Sequence, residues 1–193
     1  MAYATLEDLR GHLDIDITTD DYLLQEAIED AQSYIDGQTN RHFEAETDTR
    51  YYDRSAIDRW NSRLLNLYRD DLLTVTTLTN GDSSGTAIAS TKYWLTPRNE
   101  GPPYHGVLLK TDIADYWEFD TDYWVSIAGT WGYSTTAPDD IRRATLVLAA
   151  YFYRQKDAAM FETTAIVESG AIAIPQGIPA TVDRVINKYK RRI

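Results

Sequence analysis

The sequence predicts an α+β fold: a mainly helical core interrupted by a small antiparallel β-sheet, with a β-hairpin near the C-terminus and a C-terminal helix after it. Three observations predict it. Apolar residues recur at helical spacing over about 20–39 and again over 139–156. Between them, from about Thr47 to Ile127, short β-branched and aromatic runs alternate with turn signals. No internal repeat or low-complexity tract divides the 193 residues, a length that suits one domain carrying a sizeable insertion. Within that single domain, 1–193, the expected parts are N-terminal helices (1–45), a β insertion (46–130), a core helix (136–157), a hairpin and loop (158–178) and a last helix (179–193).

Each element has its own local cause. Thr5 can cap a short helix whose first turn holds Glu7 and Asp8 and whose apolar stripe is Leu6, Leu9 and Leu13. Thr19 or Asp20 caps a longer helix reaching about Thr39. Leu23, Leu24, Ala27, Ile28, Ala31, Tyr34 and Ile35 mark one side of it, and Glu26, Glu29, Asp30 and Asp36 the other. Gly37 and Asn40 are candidate ends. Arg50–Tyr52, Leu64–Tyr68, Leu72–Thr79, Lys92–Thr96, Gly106–Lys110 and Tyr123–Ala128 read as strands, with Asn80-Gly81 as a turn and Gly101-Pro102-Pro103 in a loop.

The segment from Trp131 to Lys156 is the most informative. Pro138 suits a first helical position, and Asp139 and Asp140 suit the positive end of the helix dipole. Ile141, Ala144, Thr145, Leu148, Ala149 and Phe152 form one face. Leu146, Val147, Ala150, Tyr151 and Tyr153 form another, so the helix lacks a wide polar side beyond Arg143 and needs cover on more than one side. Thr164–Val167 and Ala171–Ile174, around Glu168-Ser169-Gly170, read as a hairpin apolar on both faces. It folds back on its own sheet or leans on a neighbouring subunit. Pro175, Gly177 and Pro179 lead into a last helix with Val182, Val185, Ile186, Tyr189 and Ile193 as its stripe.

Charge is unevenly spread. The formal net charge is −11. Residues 1–60 hold fifteen Asp/Glu against five Arg, whereas residues 179–193 hold Arg184, Lys188, Lys190, Arg191 and Arg192 against Asp183 alone. An acidic body argues against a general nucleic-acid binder. A basic tip suits an acidic partner, or simply the negative end of its own helix. No run approaches the roughly 20 apolar residues of a membrane span, and the N-terminus lacks the pattern of a signal peptide.

No constellation points to chemistry. The sequence contains no cysteine and only three histidines, His12, His42 and His105, which leaves no thiolate site and little for a histidine metal site. The pairs Asp14/Asp16, Asp20/Asp21, Asp70/Asp71, Asp120/Asp122 and Asp139/Asp140 mostly fall where helices begin or turns form, so capping accounts for them without catalysis. Neither a phosphate-binding glycine loop nor a GxSxG nucleophile motif is present. No catalytic residue, metal or cofactor is therefore expected. Among fourteen Tyr and five Trp, residues such as Trp94, Trp117 and Trp124 are expected chiefly in the core, with subunit interface and ligand platform as the other roles.

Taken in order, "YATLEDLRGHL", the acidic "DDYLLQEAIEDAQSYIDGQTNRHF", "LLTVTTLTNG", "YWLT", "WGY…PDDIRRATLVLAAYFYRQ" and "IPATVDRVINKYKRR" resemble the head–tail connector (adaptor, or head-completion) proteins of tailed bacteriophages and gene-transfer particles. The resemblance implies a structural virion protein without catalysis or cofactor. It implies a homo-oligomeric ring, typically of twelve copies, at the neck of the portal vertex and in the host cytoplasm before assembly. Such a ring bridges the portal protein to a stopper or tail-completion protein and leaves an axial channel through which double-stranded DNA passes without sequence-specific binding; no membrane is involved. On this model Lys188, Tyr189, Lys190, Arg191 and Arg192 would meet the portal, together with the hairpin. Leu146, Val147, Ala150, Tyr151, Tyr153, Ile166, Ile172 and Ile174 would lie between subunits. The acidic helix faces, were they to line the channel, would repel phosphate. Other readings are an aromatic-rich carbohydrate- or surface-binding accessory module of a phage particle, and a small metal-dependent hydrolase using clustered Asp.

Overall fold

A computed structural model describes residues 3–16, 18–81, 85–111, 116–117, 119, 124–159 and 177–191. The chain divides into two compact units, a helical one from residues 1–40 and 138–193 and a β-rich one from residues 41–137.

The helical unit contains α1 (Leu6–Leu13), α2 (Asp21–Thr39), α3 (Asp139–Ala159) and α4 (Ala180–Tyr189). Thr5 caps α1 through a reciprocal box: the Asp8 N–H donates to Thr5 Oγ1 (3.1 Å) and the Thr5 N–H donates to Asp8 Oδ2 (3.0 Å). Helix α2 begins after Asp20, runs through Gly37 and ends at Asn40, whose φ of 52° is the left-handed conformation that Asn tolerates. Pro138 sits one residue before α3, not within its first turn, and its carbonyl accepts the Arg142 N–H (2.9 Å). Leu9, Leu24, Ile28, Ile35, Ile141, Leu148, Val182 and Ile186 are buried and make the core of this unit. Helix α3 packs against α1, α2 and α4. One expected core residue is different: Leu23 is exposed, because the buried arc of α2 centres on Leu24, Ile28, Ala31 and Ile35.

In the β unit the strands are β1 (Glu46–Asp53), β2 (Leu64–Asn66), β3 (Leu72–Asn80), β4 (Thr86–Ala87), β5 (Tyr93–Thr96), β6 (Gly106–Leu109) and β7 (Trp124–Trp131). They form two small antiparallel sheets where the sequence suggested one. The first has the order β1-β7-β3-β4 and the second β2-β6-β5. The reason is distance along the chain: β7 pairs with both β1 and β3, from Glu46↔Trp131 to Asp53↔Trp124 on one side, and no local signal announces such a partner. Gly129 allows the close approach of β3, since a Cβ there would lie 2.2 Å from the Thr74 carbonyl oxygen beside an irregularity in the ladder. Gly132, at φ +137°, turns the chain where a Cβ would meet the Glu44 carbonyl at 2.1 Å. Tyr52, Leu65, Leu72, Leu78, Val107, Val125, Ile127 and Trp131 belong to one hydrophobic cluster. Trp117 joins that core, as expected; Trp124 does not, and is exposed beside Tyr51.

The expected hairpin, with Ile166, Ile172 and Ile174, lies outside the described residues, as does Arg192. Among the described residues no helix is long and apolar enough to cross a membrane.

Candidate assembly surfaces

Two surfaces singled out by the sequence can be placed, both in the helical unit. The first is the second apolar face of α3. Ala150 is buried within the chain, whereas Leu146, Val147, Tyr151 and Tyr153 are half-buried. The Tyr153 hydroxyl donates to Asp20, and Gln155 Nε2 donates to the Tyr151 hydroxyl (2.6 Å). These side chains are thus partly covered by their own chain and keep apolar area at the surface. The first face behaves as a core face should: Ile141, Ala144, Thr145, Leu148 and Ala149 are buried, and Thr145 satisfies its hydroxyl on the Ile141 carbonyl (2.9 Å).

The second surface is the end of α4. Lys188 Nζ donates to Asp140 Oδ2 (2.6 Å), and the Tyr189 hydroxyl donates to Asp140 Oδ1 (2.7 Å). Asp140 stands in the first turn of α3, so two of the expected portal-contacting residues tie the last helix to the start of the apolar one. Burial pushes the Asp140 carboxyl up, but the bonds from Lys188 and Tyr189 outweigh it and hold its pKa below the ordinary aspartate value. The same bond to Asp140 raises the pKa of Lys188. Burial, followed by the bond to Asp140, raises that of Tyr189. Lys190 is exposed, and the Arg191 N–H donates to the Thr39 carbonyl (3.0 Å) at the end of α2.

Several members of the carboxylate pairs have structural partners. Asp14 ends α1 in the left-handed conformation, and Asp21 pairs with Arg10. Asp71 is 4% exposed and accepts both oxygens' worth of bonding from Arg41 Nη1 (2.8 and 2.9 Å), with His105 Nδ1 at 3.2 Å. Asp70 accepts from Arg50 (2.5 Å) and from the Tyr52 hydroxyl (2.5 Å). Sequence reasoning missed these pairings, because Arg41 and Arg50 lie 30 and 20 residues from their partners and no spacing rule joins them. Asp120/Asp122 lies outside the described residues. Among the described residues no group of three or more His, Asp or Glu side chains could hold a metal ion. The aromatics divide: Trp131 is buried, Trp94 lies beneath Arg98 and Lys110, and Trp60 is exposed.

Comparison with known proteins adds a family match over part of the chain. Residues 3–63, covering α1, α2 and β1, match the family described as Phage gp6-like head-tail connector protein, a structural and non-enzymatic family. Among solved structures, the chain is similar to one from the virion of a native gene transfer agent (GTA) particle, with 21% identity and a TM-score of 0.60 over 93% of this chain and 87% of that one. It is also similar to a chain from the neck of an empty GTA particle computed with C6 symmetry (20% identity, TM-score 0.58, 93% and 87% covered). A third is from the neck of a native GTA particle computed with C12 symmetry (21% identity, TM-score 0.53, 93% and 86% covered). At such identities the likeness is one of fold. No curated protein matches the chain.

Proposed function

We propose, from the premise that residues 3–63 belong to the Phage gp6-like head-tail connector family, that this chain forms one connector domain of a ring at the neck of a phage-like particle. The ring, of about twelve copies by the family resemblance and the C12 symmetry of the similar neck, sits between the portal and a stopper or tail-completion protein, and duplex DNA passes through its axis. One observation carries the reading: a family match confined to the N-terminal third is continued by a fold similar over 93% of the chain to those of neck and virion proteins. The form of α3 supports the same reading. In a head-to-tail ring each subunit presents two different patches, and a helix buried on one face and half-covered on another suits such a contact.

The basic end of α4 is the portal-facing surface in this reading, with Lys188, Tyr189, Lys190, Arg191 and Arg192 in the region of contact. Reversing Lys188 would also break its bond to Asp140, so Lys190→Glu is the cleaner probe. Electron microscopy of intact particles and of the chain mixed with portal rings tests both parts. Density for one symmetric ring beneath the portal, and weaker docking of Lys190→Glu with rings intact, are the expected results. Copies located away from the neck would remove the proposal.

A further inference from the structure

We infer that the exposed acidic stripe of α2 in one copy packs against the basic stripe of α3, marked by the exposed Arg143 and Arg154, in the next copy around the ring. Two helices of the same unit carry the argument. On α2, Tyr22, Glu26, Glu29 and Ser33 follow the spacing i, i+4, i+7, i+11, and all four are exposed; Tyr22 is 77% exposed and Leu23 beside it 38%. Asp30 adds a further exposed carboxylate at the edge of this stripe. On α3, Arg143, Val147, Ala150 and Arg154 follow the same spacing, with both arginines exposed and Val147 half-buried. One stripe is acidic with an apolar end. The other is basic at both ends, with the half-buried Val147 between the two arginines and Ala150 buried beneath it.

Other charges of this unit are engaged within it. Arg10 pairs with Asp21, Arg142 with Asp8 (2.5 Å) and Lys188 with Asp140 (2.6 Å). Among the described residues, Arg143, Arg154, Glu26 and Asp30 have no ion-pair partner, while Glu29 accepts from Gln25 (2.9 Å). Unpaired acids beside the exposed Tyr22 and Leu23 on one helix, and unpaired arginines beside the half-buried Val147 on another, are complementary surfaces. The charged residues of each stripe lie away from the buried arc of their own helix, Leu24–Ile28–Ile35 on α2 and Ile141–Leu148 on α3. A copy therefore cannot satisfy one stripe with the other, but a second copy can. Two unlike patches on every subunit make a head-to-tail contact, which closes into a ring when the rotation allows. This assignment rests on the ring reading and names its contact; it places the acids of α2 between subunits and not along the channel.

Charge exchange tests it. Sedimentation velocity and native mass spectrometry are run on the full chain over a concentration series, with circular dichroism confirming that these surface variants fold. Arg143→Glu/Arg154→Glu and Glu26→Arg/Glu29→Arg should each raise the dissociation constant for self-association on the order of tenfold or more. Mixing the two variants in equal amounts should restore assembly, because every contact in an alternating ring is then of opposite sign. Wild-type oligomers that survive either reversal, or variants that fail to rescue one another, would overturn the α2–α3 contact and leave the ring standing. A wild-type chain that stays monomeric both alone and with portal rings would overturn the contact and the ring together.

Discussion

At the scale of single residues, Asp140 joins the start of α3 to the end of α4, the two helices that follow the β unit in sequence. It belongs to the first turn of α3, and its carboxylate receives Lys188 and Tyr189 from the last turn of α4. The signs of the shifts set a pH window. Asp140 is held below its ordinary value of 3.8, so its contribution to stability is present above that pH and lost as the pH falls through the lower folded value. Lys188 is raised above its ordinary 10.5, so its contribution is complete below that pH and lost as the pH rises beyond it. Hydrogen exchange at the amides of Val182–Ile186 should therefore be constant through neutral pH, once corrected for its intrinsic rate, and should quicken in acid. Asp140→Asn should quicken it at neutral pH and flatten the acid limb. An acid limb of unchanged depth in that variant would assign the effect to another carboxylate.

At the scale of elements, α3 offers a direct contrast between its two apolar faces. Leu148 is fully buried, and Leu148→Ala should lower the stability of the chain by about 2–5 kcal/mol, through lost transfer free energy and the cavity left behind. Val147 is half-buried one residue earlier, and Val147→Ala should cost about 1 kcal/mol or less in the monomer. Chemical denaturation of the two variants measures the difference; equal losses would mean that both faces are core. This helix, its acidic start and its crowded apolar faces could be read from sequence because each signal lies within a few residues of the next. The cap at Thr5 and the end of α2 at Asn40 were legible for the same reason. Strand existence was legible too, but strand partnership was not. β1 and β7 meet across some seventy residues, β4 is only two residues long, and the division into two sheets follows from those pairings. The candidate surfaces were legible as composition. That Lys188 and Tyr189 turn back onto Asp140 depends on where α4 lies against α3, which no local pattern encodes.

For the whole molecule the decisive property is where its charge goes. A net charge of −11 is combined with five cations held at home: Arg10, Arg41, Arg50, Arg142 and Lys188 all sit in ion pairs with carboxylates of the same unit. Binding to duplex DNA draws its affinity from cations that displace counterions at successive phosphates. A chain with a net charge of −11, which pairs several of its cations internally and carries a surplus of acids over residues 1–60, has little to offer a phosphate backbone and repels it at range. In the proposed ring such a surface suits a conduit, where retention of DNA would oppose both filling and ejection. The purified chain should therefore leave the mobility of duplex DNA unchanged in a gel-shift titration at physiological ionic strength. Lowering the salt should not produce the steep gain in affinity that multiple phosphate contacts give. If a retarded band appears and weakens with the steep salt slope of several contacts, free DNA passage is the wrong account of this protein, and Arg143, Arg154 and Lys190, exposed outside those pairs, are the first residues to neutralise in search of the contact.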